Sequence, residues 1–209
     1  MSKIDEVKAT VEKGKAKLVG GLVQEALNEG NSADDVLQAM IGAMGVVGGK
    51  FSTGEIFVPE MLIAGKTMQK GVEVLRPVLA GKDSVSLGKC IIGTVEGDLH
   101  DIGKNLVALM IESAGFEVID LGVDVSADKF MEAIKANPDV KIVACSALLT
   151  TTMPAMKATV AAVKDSSLTG FKVMVGGAPI TPEFADEIGA DAYTPDAGAA
   201  AVKAKELAS

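Results

Sequence analysis

Apolar residues recur at helical spacing through roughly the first eighty positions and in short β-branched runs after them. Val36, Met40 and Met44 fall about one turn apart, as do Leu18, Leu22 and Ala26, and each set predicts an amphipathic helix. Ser32, with Asp35 three residues on, is placed to cap a helix from about Ala33 to Phe51. Pro59 suits the first turn of another helix that reaches about Leu79. Four helices are expected in about 80 residues, which is a small bundle. Ala80 to Leu87 is short, polar and glycine-containing and reads as a linker.

From Lys89 the runs alternate with amphipathic stretches. Strands are expected at Cys90 to Val95, Glu117 to Leu121, Ile142 to Ser146, Val173 to Val175 and, more weakly, Ala192 to Thr194. Helices are expected at Asp101 to Ser113, Ala127 to Asn137, Pro154 to Ser166, Pro182 to Ile188 and Ala197 to Leu207. This βαβα alternation predicts an α/β fold: a flavodoxin-like (Rossmann-like) five-stranded parallel sheet with helices on both faces. Strands one and three should lie side by side, with a ligand at their carboxyl ends. Two domains are therefore expected, a four-helix bundle over 1–88 and the sheet domain over 89–209.

Composition narrows the function. A chain of 209 residues, 48% hydrophobic and 23% charged, has ample material for a core and the wrong balance for disorder. No apolar run approaches the roughly 18 residues of a membrane span, and MSKIDEVKAT lacks the apolar segment of a signal peptide, so a cytoplasmic chain without a membrane partner is expected. The net charge is −8, Arg76 is the only arginine and there is no Trp, which argues against nucleic acid as a partner. Cys90 and Cys145 sit in apolar runs and read as buried thiols in a reducing compartment. There is neither a GxGxxG loop nor a P-loop.

Candidate chemistry gathers where the first strand ends. His100, the only histidine, stands two residues after Asp98 and next to Asp101. One imidazole nitrogen can hold a metal while the other donates to a carboxylate that fixes the tautomer; Asp98 and Asp101 are both candidates for that carboxylate. The alternative is a surface histidine beside two solvated acids. Ser146-Ala147-Leu148 closes the third strand and runs into Thr150, Thr151 and Thr152, and Gly176-Gly177 closes the fourth. Alone, such hydroxyls are caps and such glycines are turns. Together they line one crevice with the small, polar residues that an extended ligand needs.

Asp98-Leu99-His100-Asp101-Ile102-Gly103, then 42 residues, then Ser146-Ala147-Leu148, then 27 residues, then Gly176-Gly177, resembles the DxHxxG, SxL, GG signature of cobalamin-binding domains. Gly54 to Glu60, GEIFVPE, is similar to the cap-helix segment of methionine synthase and its smaller relatives. Nearly the whole chain thus resembles the free-standing corrinoid proteins of three-component methyltransferase systems.

The resemblance implies cobalamin as cofactor, with His100 as lower axial ligand of cobalt in place of dimethylbenzimidazole, the base-off/His-on form. It implies that the nucleotide tail runs beside Ser146, Leu148, Gly176 and Gly177, and that Leu99, Asp101, Ile102, Gly103 and Thr150 belong to the same cofactor site. Asp98 would accept the other imidazole proton. Thr152 would stand third in the triad, where the family more often has serine. The bundle would cap the upper corrin face with Phe57 toward the axial methyl group, whereas Met40, Met44, Met61 and Met68 read as bundle core.

The implied function is a methyl carrier, itself non-catalytic, cycling between cob(I)alamin and methylcobalamin. It would take the methyl group from a substrate methyltransferase and pass it to an acceptor methyltransferase that uses a folate or a thiol, with a reductive activase as a further partner. Methylamines, methanol, aryl methyl ethers and betaines all suit as donors. A small subunit of an adenosylcobalamin mutase is disfavoured by the bundle, and a B12-dependent sensor by the want of a basic DNA-binding module.

Overall fold

The computed structural model describes residues 2–79 and 87–208. The expected linker, apart from Leu87, lies outside the described residues. The chain divides into two compact units, the second beginning at Leu87.

The first unit contains α1 (Lys3–Glu12), α2 (Val19–Asn28), α3 (Ala33–Ser52) and α4 (Val58–Leu79). Ser2 opens α1 with a capping box: its hydroxyl accepts from the Asp5 N–H at 3.2 Å, and the Asp5 carboxylate accepts from the Ser2 N–H at 3.1 Å. Ser32 accepts from the Asp35 N–H at 3.0 Å and so starts α3 where the sequence predicts. The buried faces carry Val7 and Val11, then Val36, Met40 and Met44, then Met61, Met68 and Leu75. Of the stripe expected for α2, only Ala26 is fully buried. Leu18 precedes the helix and is exposed, Leu22 is only half-buried, and Val19, Val23 and Ala26 face inward. Both sets share the 3.6-residue period, so spacing alone does not choose between them.

The second unit is a parallel sheet of β1 (Lys89–Thr94), β2 (Glu117–Asp120), β3 (Val140–Ser146), β4 (Lys172–Gly176) and β5 (Ala192–Tyr193), in the order β2-β1-β3-β4-β5. Helices α5 (Ile102–Ser113), α6 (Ala127–Ala136), α7 (Met153–Lys164), α8 (Pro182–Glu187) and α9 (Ala197–Ala208) connect or follow the strands. Alternation sorts the strand side chains: Ile91, Val143, Cys145, Val173 and Val175 pack with Phe130 and Ile134 of α6 and Met156 and Val160 of α7. Cys90, Ile92, Ile142, Ala144 and Met174 are buried on the other face. Both thiols are buried and free, and burial pushes each up to about 12. Sheet order reverses at β1 and β3, which makes their carboxyl ends the crevice of a doubly wound fold. No helix among the described residues is long and apolar enough to cross a membrane.

Candidate functional site

At the switch point Thr94 pairs with Ser146, and the chain leaves the sheet in two loops, 95–101 and 147–152. The first loop turns at once. The Asp98 N–H donates to the Val95 carbonyl at 3.1 Å, and Gly97 takes φ 80°, a left-handed conformation that glycine adopts without a Cβ penalty. The buried Thr94 hydroxyl donates to the His100 carbonyl at 2.9 Å and ties the far end of the turn to its strand.

This geometry buries Asp98 completely and surrounds it with donors. Its Oδ1 accepts from the His100 N–H at 3.1 Å and meets His100 Nδ1 at 2.7 Å. Its Oδ2 accepts from the Leu148 N–H at 2.7 Å and lies 2.9 Å from the Thr152 hydroxyl. That hydroxyl is also 2.9 Å from the Leu149 carbonyl, and the carboxylate is the stronger acceptor for its single proton. Burial on its own would raise the Asp98 carboxyl, but the Leu148 N–H, the His100 ring and N–H and the Thr152 hydroxyl together hold it well below the usual carboxylate range. A buried anion facing Nδ1 places the neutral ring's proton there and leaves the Nε2 lone pair free. The His100 side chain is 51% exposed, and no hydrogen bond meets Nε2 among the described residues.

The other residues singled out in the sequence divide. Asp101 does not reach the ring: its carbonyl accepts from the Asn105 N–H at 2.7 Å and its carboxylate from the Asn105 side chain at 3.2 Å, so it serves the first turn of α5. Leu99 and Ile102, on either side of His100 in the chain, are 72% and 82% exposed, and Leu148 is exposed as well. Gly103 has open space where a Cβ would stand. Thr150 and Thr151 face solvent and only Thr152 turns inward. Ser146 is half-buried, and its carbonyl accepts from the Val95 N–H at 3.0 Å. At Gly176 a Cβ would stand 3.1 Å from the Thr194 carbonyl oxygen, and at Gly177, φ 132°, it would overlap the Ala147 carbonyl. Phe57 belongs to the helical unit, is 67% exposed, and donates its N–H to the Glu60 carboxylate at 3.1 Å ahead of α4.

Sequence reasoning missed Thr94, Lys104 and Asp124. Lys104 is buried and bonds Asp120 at 2.5 Å and Asn105 at 2.6 Å. A lysine in the first turn of a mostly apolar helix is a signal that it has a partner. Among the described residues no three His, Cys, Asp or Glu side chains gather as a metal site.

Residues 88–204 match the family model described as B12 binding domain, and residues 3–76 match a second model with the same description. Dimethylamine corrinoid protein 1 of Methanosarcina acetivorans is 40% identical over 207 residues, covering 98% of this chain and 96% of that protein. A cobalamin-binding protein from Desulfitobacterium hafniense DCB-2 superimposes with a TM-score of 0.84 at 29% identity over 98% of both chains. A chain of the methanol:cobalamin methyltransferase complex MtaBC from Methanosarcina barkeri superimposes with a TM-score of 0.83 at 26% identity, over 99% of this chain and 79% of that one. The chain therefore belongs to the corrinoid proteins, whose cofactor is cobalamin with its cobalt, and Asp98, His100 and Thr152 lie within its B12 binding domain.

Proposed function

We propose that this protein carries a methyl group on cobalamin bound base-off, with His100 Nε2 on the cobalt, between a substrate methyltransferase and an acceptor methyltransferase. The observation that carries the reading is the 2.7 Å contact between His100 Nδ1 and a fully buried Asp98, on a ring that is half exposed. The residues present fit the cofactor. One ring nitrogen is committed to an anion, large apolar side chains at Leu99 and Ile102 stand in solvent where a flat macrocycle would cover them, and Gly103 leaves room beside them.

When bound, the corrin supplies a cobalt centre able to accept a methyl group as a nucleophile and to yield it afterwards. The chain's own residues set the ligand. Asp98 holds the proton on Nδ1, the Leu148 N–H and Thr152 hydroxyl hold Asp98, and the strength of that chain sets how firmly Nε2 donates. Ser146, Leu148, Gly176 and Gly177, with Thr150 at the rim, would receive the nucleotide tail; the glycines admit a chain where side chains would not fit. The helical unit would act as the cap domain, with Phe57 toward the upper face. The two units would move as separate domains, so that partner enzymes reach the cobalt in turn. A relative named for dimethylamine that this chain covers over 96% of its length, and a structure of a methanol:cobalamin methyltransferase complex, support a methyltransferase partner. A folate or thiol methyltransferase as acceptor and a reductive activase as third partner complete the proposal.

His100→Ala tests it. The variant should bind hydroxocobalamin yet lose the nitrogen signal of histidine coordination in the reduced cob(II)alamin form, read by electron paramagnetic resonance with 15N-labelled histidine. A spectrum unchanged from wild type, or one showing benzimidazole on the cobalt of the wild-type protein, refutes the ligand assignment.

A further inference from the structure

Asp124, in the loop after β2, lies outside the set assigned above. Among the described residues it is the only non-glycine with positive φ, at 53°. Asp is among the few side chains that enter this region, and it does so at a cost that the surroundings must offset. Here the offset is visible. Its Oδ1 accepts from the Gly97 N–H at 2.7 Å, and its own N–H donates to the Asp98 carbonyl at 3.0 Å. The Asp98 N–H is already bonded to the Val95 carbonyl at 3.1 Å. Three successive peptide planes leading into and out of Asp98 are thereby fixed, two of them by one residue.

The support behind Asp124 is firm. The Thr94 N–H donates to the Gly122 carbonyl and the Val125 N–H to the Thr94 carbonyl, each at 3.0 Å, so the loop prolongs the ladder of β1. The Gly122 N–H donates to Asp120 Oδ1 at 2.9 Å, while Asp120 Oδ2 takes the buried Lys104 ammonium at 2.5 Å. A site is held to its geometry by such outer contacts rather than by the liganding group alone.

We propose that Asp124 is a positioning residue for the His100 ligand: it clamps Gly97 and Asp98 from the β2 loop and so aims Nε2 without touching the ring. The inference rests on the reading of His100 as the cobalt ligand. Asp124→Gly and Asp124→Asn separate the contact from the strain, because both residues tolerate the left-handed region and only Asn keeps a side-chain oxygen to accept the Gly97 N–H.

In the full-length apoprotein, Asp124→Gly should speed hydrogen exchange at the Gly97 amide about tenfold, the scale of one charge-assisted hydrogen bond. Loaded with cobalamin and reduced to cob(II)alamin, it should show a smaller fraction of histidine-coordinated cobalt by the 15N resonance signature. Asp124→Asn, whose neutral oxygen makes a bond about half as strong, should bring both readouts to within about threefold of wild type. Wild-type Gly97 exchange or a wild-type coordinated fraction in Asp124→Gly overturns the positioning role, as does an Asn variant no better than Gly. His100→Ala, run beside them, separates the two readings. If it loses the histidine signal while Asp124→Gly keeps it, only the positioning role fails; if it keeps the signal, the ligand assignment fails and the positioning role with it.

Discussion

The two units bury polar groups in different ways. In the helical unit Thr67 is buried, and its hydroxyl donates to the Ile63 carbonyl one turn back at 2.7 Å, a contact that any threonine on a helix can make. In the sheet unit Asp98 is buried by groups 50 and 54 residues away, Leu148 and Thr152, as well as by its neighbour His100. Apart from Thr10 of α1, the rest of the described helical core is mostly apolar and rich in methionine, whose flexible side chains fill space without demanding one geometry. The polar core at the ends of β1 and β3 demands it, because a buried carboxylate that loses one donor keeps the full cost of desolvation. Tolerance in one unit and close specification in the other separate a packed scaffold from a polar site.

The largest effect should come from Gly177→Ala. The added Cβ meets the Ala147 backbone, which has no rotamer to yield, at a φ of 132°. Overpacking and backbone strain together predict a loss of about 3–5 kcal/mol in apoprotein stability by denaturant titration. Gly103→Ala, exposed in the first turn of α5, should not lower that stability, since alanine is favoured over glycine in a helix by up to about 1 kcal/mol, and should lower cobalamin affinity alone, because its Cβ enters open space on the surface. Equal stability losses in the two variants would erase the contrast.

Next in size is Asp98→Asn. Its amide group must turn a donor toward either the Leu148 and Thr152 side or the His100 side. The predicted loss is about 2–3 kcal/mol of apoprotein stability. A donor facing Nδ1 also favours the tautomer with its proton on Nε2, so histidine coordination of bound cobalamin should fall. Because the folded Asp98 carboxyl lies below its ordinary value of 3.8, its contribution is complete above that value and is lost as pH falls through the lower folded one. The Asn variant should accordingly show a shallower decline of stability below about pH 4 in apoprotein acid titrations. A slope equal to wild type would mean that Asp98 is not the charge being lost.

The smallest effect should fall in the helical unit. Met68→Leu nearly conserves volume in a fully buried position and should cost less than about 1.5 kcal/mol, with the coordinated fraction of cobalamin unchanged. A larger loss by thermal denaturation would show that the methionine core is packed as specifically as the site.

Much of the fold was legible because its signals are local. Ser32 begins α3, Pro154 stands in the first turn of α7, and the five β-branched runs become five strands with ends within two residues of expectation. The failure at Leu18 and Leu22 is equally local in origin: the expected and observed stripes share Ala26 and satisfy the same period, and Leu18 falls just before the helix. Read from the residues alone, the candidate site was legible as a composition; the Asp98, His100 and Thr152 set came from the resemblance. The sequence offers two acids beside one histidine and three consecutive threonines beyond Ser146. Asp124 gave no periodic signal at all, since its importance lies in one φ angle and two hydrogen bonds to another loop.

By itself, the sequence determined the elements, their alternation and hence the switch point at which His100 stands, because backbone hydrogen bonding and side-chain periodicity act over a few residues and the handedness of parallel crossovers leaves few topologies. Spacing alone left Asp98 and Asp101 equivalent and the three threonines alike; the resemblance favoured Asp98 and Thr152, but only the tertiary structure shows the contacts themselves, Asp98 on the imidazole, Thr152 on Asp98, Asp101 turned to Asn105 and Asp124 on the 95–101 loop. Those choices depend on how closely loops some 25 to 55 residues apart approach when β1, β2 and β3 pair, a distance that no spacing along the chain records.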